Sequence, residues 1–322
     1  MNPILYKEGI DRFRSRRVWP FLLFWVAFNG GLVYLLFLLA SSITEQGFGP
    51  LIGRANIGPF LFHGVLSLML LGVIMFLPGM AAVGIVGERE RQTMRLLQTT
   101  SLTPFQIVTG KLGAALAYLG WLLVALLPII TAPLALGGVS LGDILGALLM
   151  LALIAVTIAS MAIWLSSRAR STRSAVAGAY VLTFSLLFLT PLLGVGEALA
   201  QTRMREPLVT ELWTVIPNPY LALVSAVVHP LEVDDGRWQT VFYPGYLVLL
   251  ARDGVDAPGF SARDRVVEED GRRFLTLSRP PLWVLSGLFY AGVTFLTLRN
   301  AVKWVTTPSP TEFSVKRTRG ST

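Results

Sequence analysis

Six stretches of this chain, residues 18–41, 60–86, 112–134, 141–166, 175–193 and 281–298, are apolar over about 20 residues, enough for a helix to cross roughly 30 Å of hydrocarbon. A backbone in hydrocarbon must satisfy its own hydrogen bonds, so such runs are viable only as helices packed on other helices. The sequence therefore predicts an all-α membrane protein with six transmembrane helices. Charged residues make up only 14% of the chain, too few to solvate a soluble fold of this length. Between the third and fourth runs lies only "ALGGVSLGD", which predicts a tight hairpin.

The net charge of +8 is unevenly placed. With the N-terminus inside, the inner segments hold basic clusters at residues 7–17, 89–111, 168–173 and 299–319, while most acids fall outside. This is the positive-inside pattern, and it puts both termini in the cytoplasm. The basic excess thus reports orientation, and no nucleic-acid partner is implied. Although "SRRVWPFLL" carries the paired arginines of an export signal, the apolar run after it is too long, and the first span is expected to be an uncleaved anchor.

Residues 1–17 place Ile4, Leu5, Ile10 and Phe13 at roughly helical spacing among charges, the pattern of an amphipathic helix lying in the cytoplasmic interface. Residues 18–193 form the first five spans. Residues 194–280 are external. Their apolar stretch after Pro219 is too short to span and reads as an interfacial or re-entrant helix. A small soluble insert follows at 231–279, in which Asp270-Gly271 between Val266, Val267 and Phe274, Leu275 predicts a β-hairpin and hence a small α/β cap. The sixth helix, 281–302, leads to a cytoplasmic tail, 303–322. Trp19, Trp25, Trp164, Trp283 and Trp304 fall near span ends, where indoles anchor, whereas Trp121 reads as a packing residue. Small residues at Gly110, Gly113, Ala117 and Gly120, and at Ala175, Ala177, Gly178 and Ala179, would let helices approach closely.

Several chemistries find no support. With no cysteine and two histidines, the chain lacks the makings of a thiolate or histidine metal site, and no catalytic set is spaced around His63 or His229. External acids such as Asp234, Asp235 and Glu268 read as a solvated face. No apolar run holds an ionisable residue near its middle, the nearest being Asp143 at the outer edge of the fourth, which argues against an ion-coupled carrier. In "TPFQIVTGKLG", Phe105 stands where a phosphate-binding loop needs its first glycine and Leu112 where it needs a hydroxyl. This chain is expected to carry no cofactor of its own.

One charged segment interrupts the apolar pattern. In "GERERQTMRLLQTTSLTPFQIVTGK", residues 87–111, Met94, Leu97 and Ser101 recur at i, i+3 and i+7 with Leu96 beside them. A short helix there would present a narrow apolar ridge edged by Glu90, Arg91 and Arg95. Pro104 then suits the first turn of the next helix. On spacing alone the segment reads equally as a force-transmitting element or as a loop whose charges fix topology.

The same segment resembles the coupling-helix motif of ABC-2 type permeases, the membrane subunits of ATP-binding cassette exporters. The resemblance rests on Glu88, Arg89, Glu90, Arg91, Thr93, Leu96, Leu97, Thr103, Gly110 and Lys111, with "NPILYKE" at residues 2–8 similar to that family's amphipathic elbow helix. Two positions depart from the pattern: Gln92 stands where the family commonly has Gly, and Thr100-Ser101 where Thr-Pro is frequent. The resemblance implies a transport subunit, not an enzyme, in a prokaryotic plasma (inner) membrane. It would pair with a second permease copy or paralogue and with two cytoplasmic ATPase subunits that bind the ATP and magnesium.

It also implies a coupling helix within about residues 87–104. There Met94, Leu96 and Leu97 would fill a groove on the ATPase, Ser101 would close the ridge, and Glu88 and Glu90 would meet basic groups at the rim. Arg168, Arg170 and Arg173, in "SSRARSTRS", are a second candidate contact or a topology-fixing turn. The family's route involves the first, second and fifth spans, which makes Asn29, Pro78-Gly79, Thr183 and Ser185 route candidates, with packing or kinking as the other reading. An alternative function keeps this fold and moves no solute: a mechanotransmitter acting on an external protein partner through the outer insertion.

Overall fold

The computed structural model describes residues 18–45, 57–94, 102–137, 139–194, 216–227, 266–269, 272–275 and 282–306. The predicted elbow helix, residues 95–101 of the coupling segment, most of the external insert and the tail beyond residue 306 lie outside them. In chain order the elements are α1 (Val18–Glu45), α2 (Ile57–Glu90), α3 (Pro104–Val124), α4 (Leu127–Leu136), α5 (Leu141–Arg168), α6 (Thr172–Phe184) continued by a π turn (Ser185–Leu189), α7 (Pro219–Ser225), β1 (Val266–Glu269), β2 (Arg272–Leu275) and α8 (Leu282–Thr306).

Among the described residues, five helices are long and apolar enough to cross a membrane: Trp19–Ser42, Ile57–Glu90, Pro104–Val124, Leu141–Arg168 and Thr172–Gly194. The sixth expected span is a 25-residue helix, α8, which is not among these five and whose last turns carry Arg299, Asn300 and Lys303. Its contact with α5 is partly polar. Thr157 and Thr294 share a hydroxyl hydrogen bond of 2.9 Å, Ser160 and Thr297 one of 2.8 Å, and the Thr157 hydroxyl also donates to the Tyr290 carbonyl at 3.2 Å. Between apolar helices, such bonds are worth about 0.6–2 kcal/mol each.

Helix α2 is the pillar of the bundle, packed against α1, α3, α4, α5, α6 and α7. Its most apolar window is 72% buried, against 17% for α1 and 11% for the helix that begins at Thr172, which leaves those two as lateral faces. Glycines make the approach to α2 close. A Cβ on Gly72 would stand 3.0 Å from the Trp25 ring, which packs edge-on against Phe76 at 5.1 Å. A Cβ on Gly58 would stand 2.0 Å from the Gly137 carbonyl oxygen, which no side chain could tolerate.

Several expectations need correction. The third span is not continuous. Pro128 has no N–H, and its ring would clash with the Val124 carbonyl of an unbroken helix, so α3 ends at Val124 and a separate ten-residue α4 follows. Trp25 is 8% exposed and belongs to the core, whereas Trp121 is 41% exposed and does not act as a buried packing residue. The close approach expected at Gly120 is not made, since a Cβ there would meet nothing within 4 Å. Trp19, Trp283 and Trp304 are exposed near helix ends, as anchors should be.

Local signals worked better. Thr103 and Gln106 form a capping box ahead of Pro104: the Thr103 hydroxyl accepts from the Gln106 N–H at 3.3 Å, and the Gln106 side-chain Oε1 accepts from the Thr103 N–H at 2.9 Å. Ser140 and Asp143 do the same for α5, and Asp143 is 1% exposed. The short helix expected after Pro219 is α7, seven residues long and almost wholly buried. Asn218 caps it and also joins it to the π turn, its amide donating to the Leu187 carbonyl at 3.0 Å and to the Thr190 hydroxyl at 3.0 Å. Strands β1 and β2 pair antiparallel with Glu269 opposite Arg272, and residues 270–271, where the turn is expected, lie outside the described residues.

Gly58→Ala is expected to lower the melting temperature of the detergent-purified chain by several degrees, an overpacking cost of about 1–3 kcal/mol, while Gly120→Ala leaves it unchanged. Differential scanning fluorimetry of both variants checks this.

Candidate functional site

The charged segment begins inside α2. That helix closes with the Gln92 N–H bonded to the Arg89 carbonyl at 3.1 Å and the Thr93 N–H bonded to the Glu88 carbonyl at 3.0 Å. This pair of bonds is the Schellman stop, whose first residue past the helix must be left-handed, usually glycine. Here that residue is Gln92, with φ 59°. The geometry accounts for the departure noted at this position: Gln92 accepts a conformation for which a glycine would be unstrained. It also changes the sequence reading. Glu88, Arg89 and Glu90 are the last turn of α2, separated by the turn at Arg91 and Gln92 from the segment that starts at Met94, and so they do not edge a single amphipathic helix.

Each of the three takes a different neighbour. One Glu88 carboxylate oxygen forms an ion pair with Lys111 of α3 at 2.7 Å, and the other accepts from the Thr93 hydroxyl. The Lys111 side chain is 6% exposed and that of Glu88 26%, so the pair is largely out of water. Arg89 donates to the Ser167 carbonyl in the last turn of α5 at 2.6 Å and to the Trp304 carbonyl in the last turns of α8 at 3.3 Å. Glu90 accepts from the Thr172 N–H at 2.7 Å and the Thr172 hydroxyl at 2.6 Å, at the start of α6.

The signs match the helix ends. Orphan carbonyls at a helix C-terminus attract a cation and orphan N–H groups at an N-terminus attract an anion, each worth about 0.3–1 kcal/mol when exposed. Arg89 therefore meets two C-termini and Glu90 one N-terminus. Ser166 draws α5 to the same place, its hydroxyl oxygen accepting from the N–H groups of Ile85 at 3.1 Å and Val86 at 2.9 Å.

Of the remaining predicted residues, Arg91 is exposed in the turn, and Met94 is 7% exposed and packed into the chain's own core. Leu96, Leu97 and Ser101 lie outside the described residues. Arg168, Arg170 and Arg173 are all exposed, and the Arg168 guanidinium lies 5.2 Å from each of the Trp164 and Trp304 rings. The route candidates are each bonded to their own helix: Asn29 donates to the Trp25 carbonyl at 2.7 Å, Thr183 to that of Ala179 at 2.8 Å and Ser185 to that of Val181 at 2.7 Å. Tyr180 fills the space at Gly79, its hydroxyl donating to the Met75 carbonyl at 2.6 Å one turn before Pro78. Among the described residues, no group of three or more His, Asp or Glu could hold a metal.

Sequence reasoning did not single out Ser166, Ser167, Thr172 or Trp304 as partners. Their contacts join residues about 80 to 215 positions apart, for which spacing carries no signal. Lys111 did carry one: a cation seven residues inside an apolar helix requires a buried anion, and the nearest acids in the chain are Glu88 and Glu90.

Residues 2–231 match the family described as "ABC-2 family transporter protein". Among curated proteins none is similar enough to match.

The left-handed cost at a non-glycine residue is about 1–2 kcal/mol. Gln92→Gly is accordingly expected to keep or raise the melting temperature of the purified chain, whereas Gln92→Val, branched at Cβ, lowers it by several degrees.

Proposed function

We propose, from the premise that the chain belongs to the ABC-2 family of transporter proteins, that it is the permease subunit of an ATP-driven exporter, worked by separate cytoplasmic ATPase subunits. As a member of that family it is a multi-pass component of membrane transport. On our reading α8 is a sixth span, both termini are cytoplasmic, and two such permeases, identical or paralogous, assemble with two ATPases in a prokaryotic plasma membrane.

The observation that carries the coupling role is the placement of the charged segment. It leaves the most buried helix of the bundle through a fixed stop at Gln92 and returns through the capping box at Thr103, so residues 94–102 are held at both ends by spans. On our reading, motion of this segment is passed to α2 and α3, the two helices it joins. Leu96 and Leu97 are the residues we assign to the ATPase groove, where one buried anchor contributes about 1–3 kcal/mol. Met94 is spent on the chain's own core, and Glu88 and Glu90 on its own helices, so none of the three is assigned to the partner. Arg168, Arg170 and Arg173, exposed at the same end, are a second contact surface.

A second reading, a mechanotransmitter acting on an external protein, draws on the outer anchoring. Ser286 and Tyr290 of α8 donate to the Ile216 and Pro217 carbonyls at 2.8 and 2.7 Å, and Asn218 holds the π turn, so a pull on the external region would be felt by α8 and by the helix that begins at Thr172. Stable capture of an outer protein by the full-length chain, with no solute moved by the complex, would favour it.

Leu97→Asp is expected to remove the ATPase from the affinity-purified chain and abolish ATP hydrolysis in the eluate, with membrane insertion intact; His229→Ala changes neither. ATP hydrolysis by Leu97→Asp equal to wild type would sink the coupling role.

A further inference from the structure

Three consecutive residues at the end of α2 bond four other helices. Glu88 holds Lys111 of α3, Arg89 holds the ends of α5 and α8, and Glu90 holds the start of α6. Successive helical residues project about 100° apart. A run of three therefore spans about 200° around α2, and the alternation acid, base, acid suits a lysine, two C-termini and an N-terminus in turn. Glu88 also takes the Thr93 hydroxyl, which ties this hub to the first residues of the segment beyond the stop.

Resting on the reading that residues 94–102 are driven by an ATPase, we propose that Glu88, Arg89 and Glu90 are positioning residues that distribute this motion: Glu90 passes it to α6, Arg89 to α5 and α8, and Glu88 to α3. Each residue bonds a different set of helices, so the motion should be separable into three branches: α3, α5 with α8, and α6. A hub that served only stability would lose all helices together. Glu90 is exposed and Arg89 half-buried, so neither leaves a deeply buried charge behind when removed. Glu88→Ala would strand Lys111, and Glu88 is therefore tested only by exchange, Glu88→Lys with Lys111→Glu.

The chain has no cysteine, so one engineered cysteine reports one position. Leu192, 65% exposed near the outer end of the helix that begins at Thr172, and Leu288, 67% exposed near the outer end of α8, accept an environment-sensitive fluorophore on opposite branches of the hub. The complex with its ATPase, in nanodiscs, is treated with a non-hydrolysable ATP analogue, and the fluorescence change at each site is recorded. Glu90→Ala is expected to reduce the change at Leu192 about tenfold, as for loss of a charge-assisted hydrogen bond, and to spare Leu288. Arg89→Ala is expected to do the reverse. Glu90→Gln, whose amide can still accept from the Thr172 N–H, restores Leu192. The Glu88/Lys111 exchange keeps both changes.

Equal loss at both sites in either alanine variant, or no loss in either, with the ATPase still bound, overturns the distribution. Failure of the unmodified chain to retain any ATPase overturns instead the coupling reading on which it rests.

Discussion

A helix surrounded by other helices has no solvent to satisfy it, and α2 is placed under that constraint along nearly its whole length. Six of the other helices pack against it, and α8 joins the bundle chiefly through α5. Glycines admit the neighbours to close range, as Gly72 admits Trp25, and the aromatic edge of Phe76 completes the seat. Because the interior is close-packed, α2 and the helices around it pass strain to one another. The poorly covered flanks, α1 and the helix that begins at Thr172, touch this pillar on one side and leave their other faces uncovered by the chain.

Polar chemistry in the described bundle is concentrated where helices end. Inside the apolar region, hydroxyls bond to carbonyls three or four residues back or to each other across α5 and α8, arrangements that hide polarity instead of displaying it. At the charged end the opposite holds. Helix termini carry unsatisfied N–H and C=O groups, and the alternating charges of residues 88–90 meet them with the appropriate sign. At the other end Asn218 plays a comparable part with a neutral amide, capping α7 with its oxygen and reaching the π turn with its nitrogen. Each end of the bundle is thus closed by a few side chains that each serve more than one element.

Which features were legible in advance follows a physical division. The helix start at Pro104, the short helix after Pro219 and the antiparallel pairing of residues 266–269 with 272–275 are local, encoded within a few residues. Pro128 was equally visible, but the apolarity around it masked its effect on the helix. Gln92 carried no signal of its own, since only the bonding of the helix stop requires its left-handed backbone. The tryptophans divide similarly. Trp19 and Trp304 are exposed near helix ends, while Trp25, seven residues into α1, is buried because Gly72 leaves room for it.

The sequence by itself determined that this is a helical membrane protein with its charge gathered at helix ends, and it carried enough of a motif to indicate the family. These properties depend on composition and on spacing within a few turns, because the bilayer tests each segment almost independently. Only the tertiary structure decided which partner each charge takes. Glu88, Arg89 and Glu90 are adjacent, yet they bond residues from Lys111 to Trp304, and that choice depends on where helices far apart in the chain come to an end beside α2.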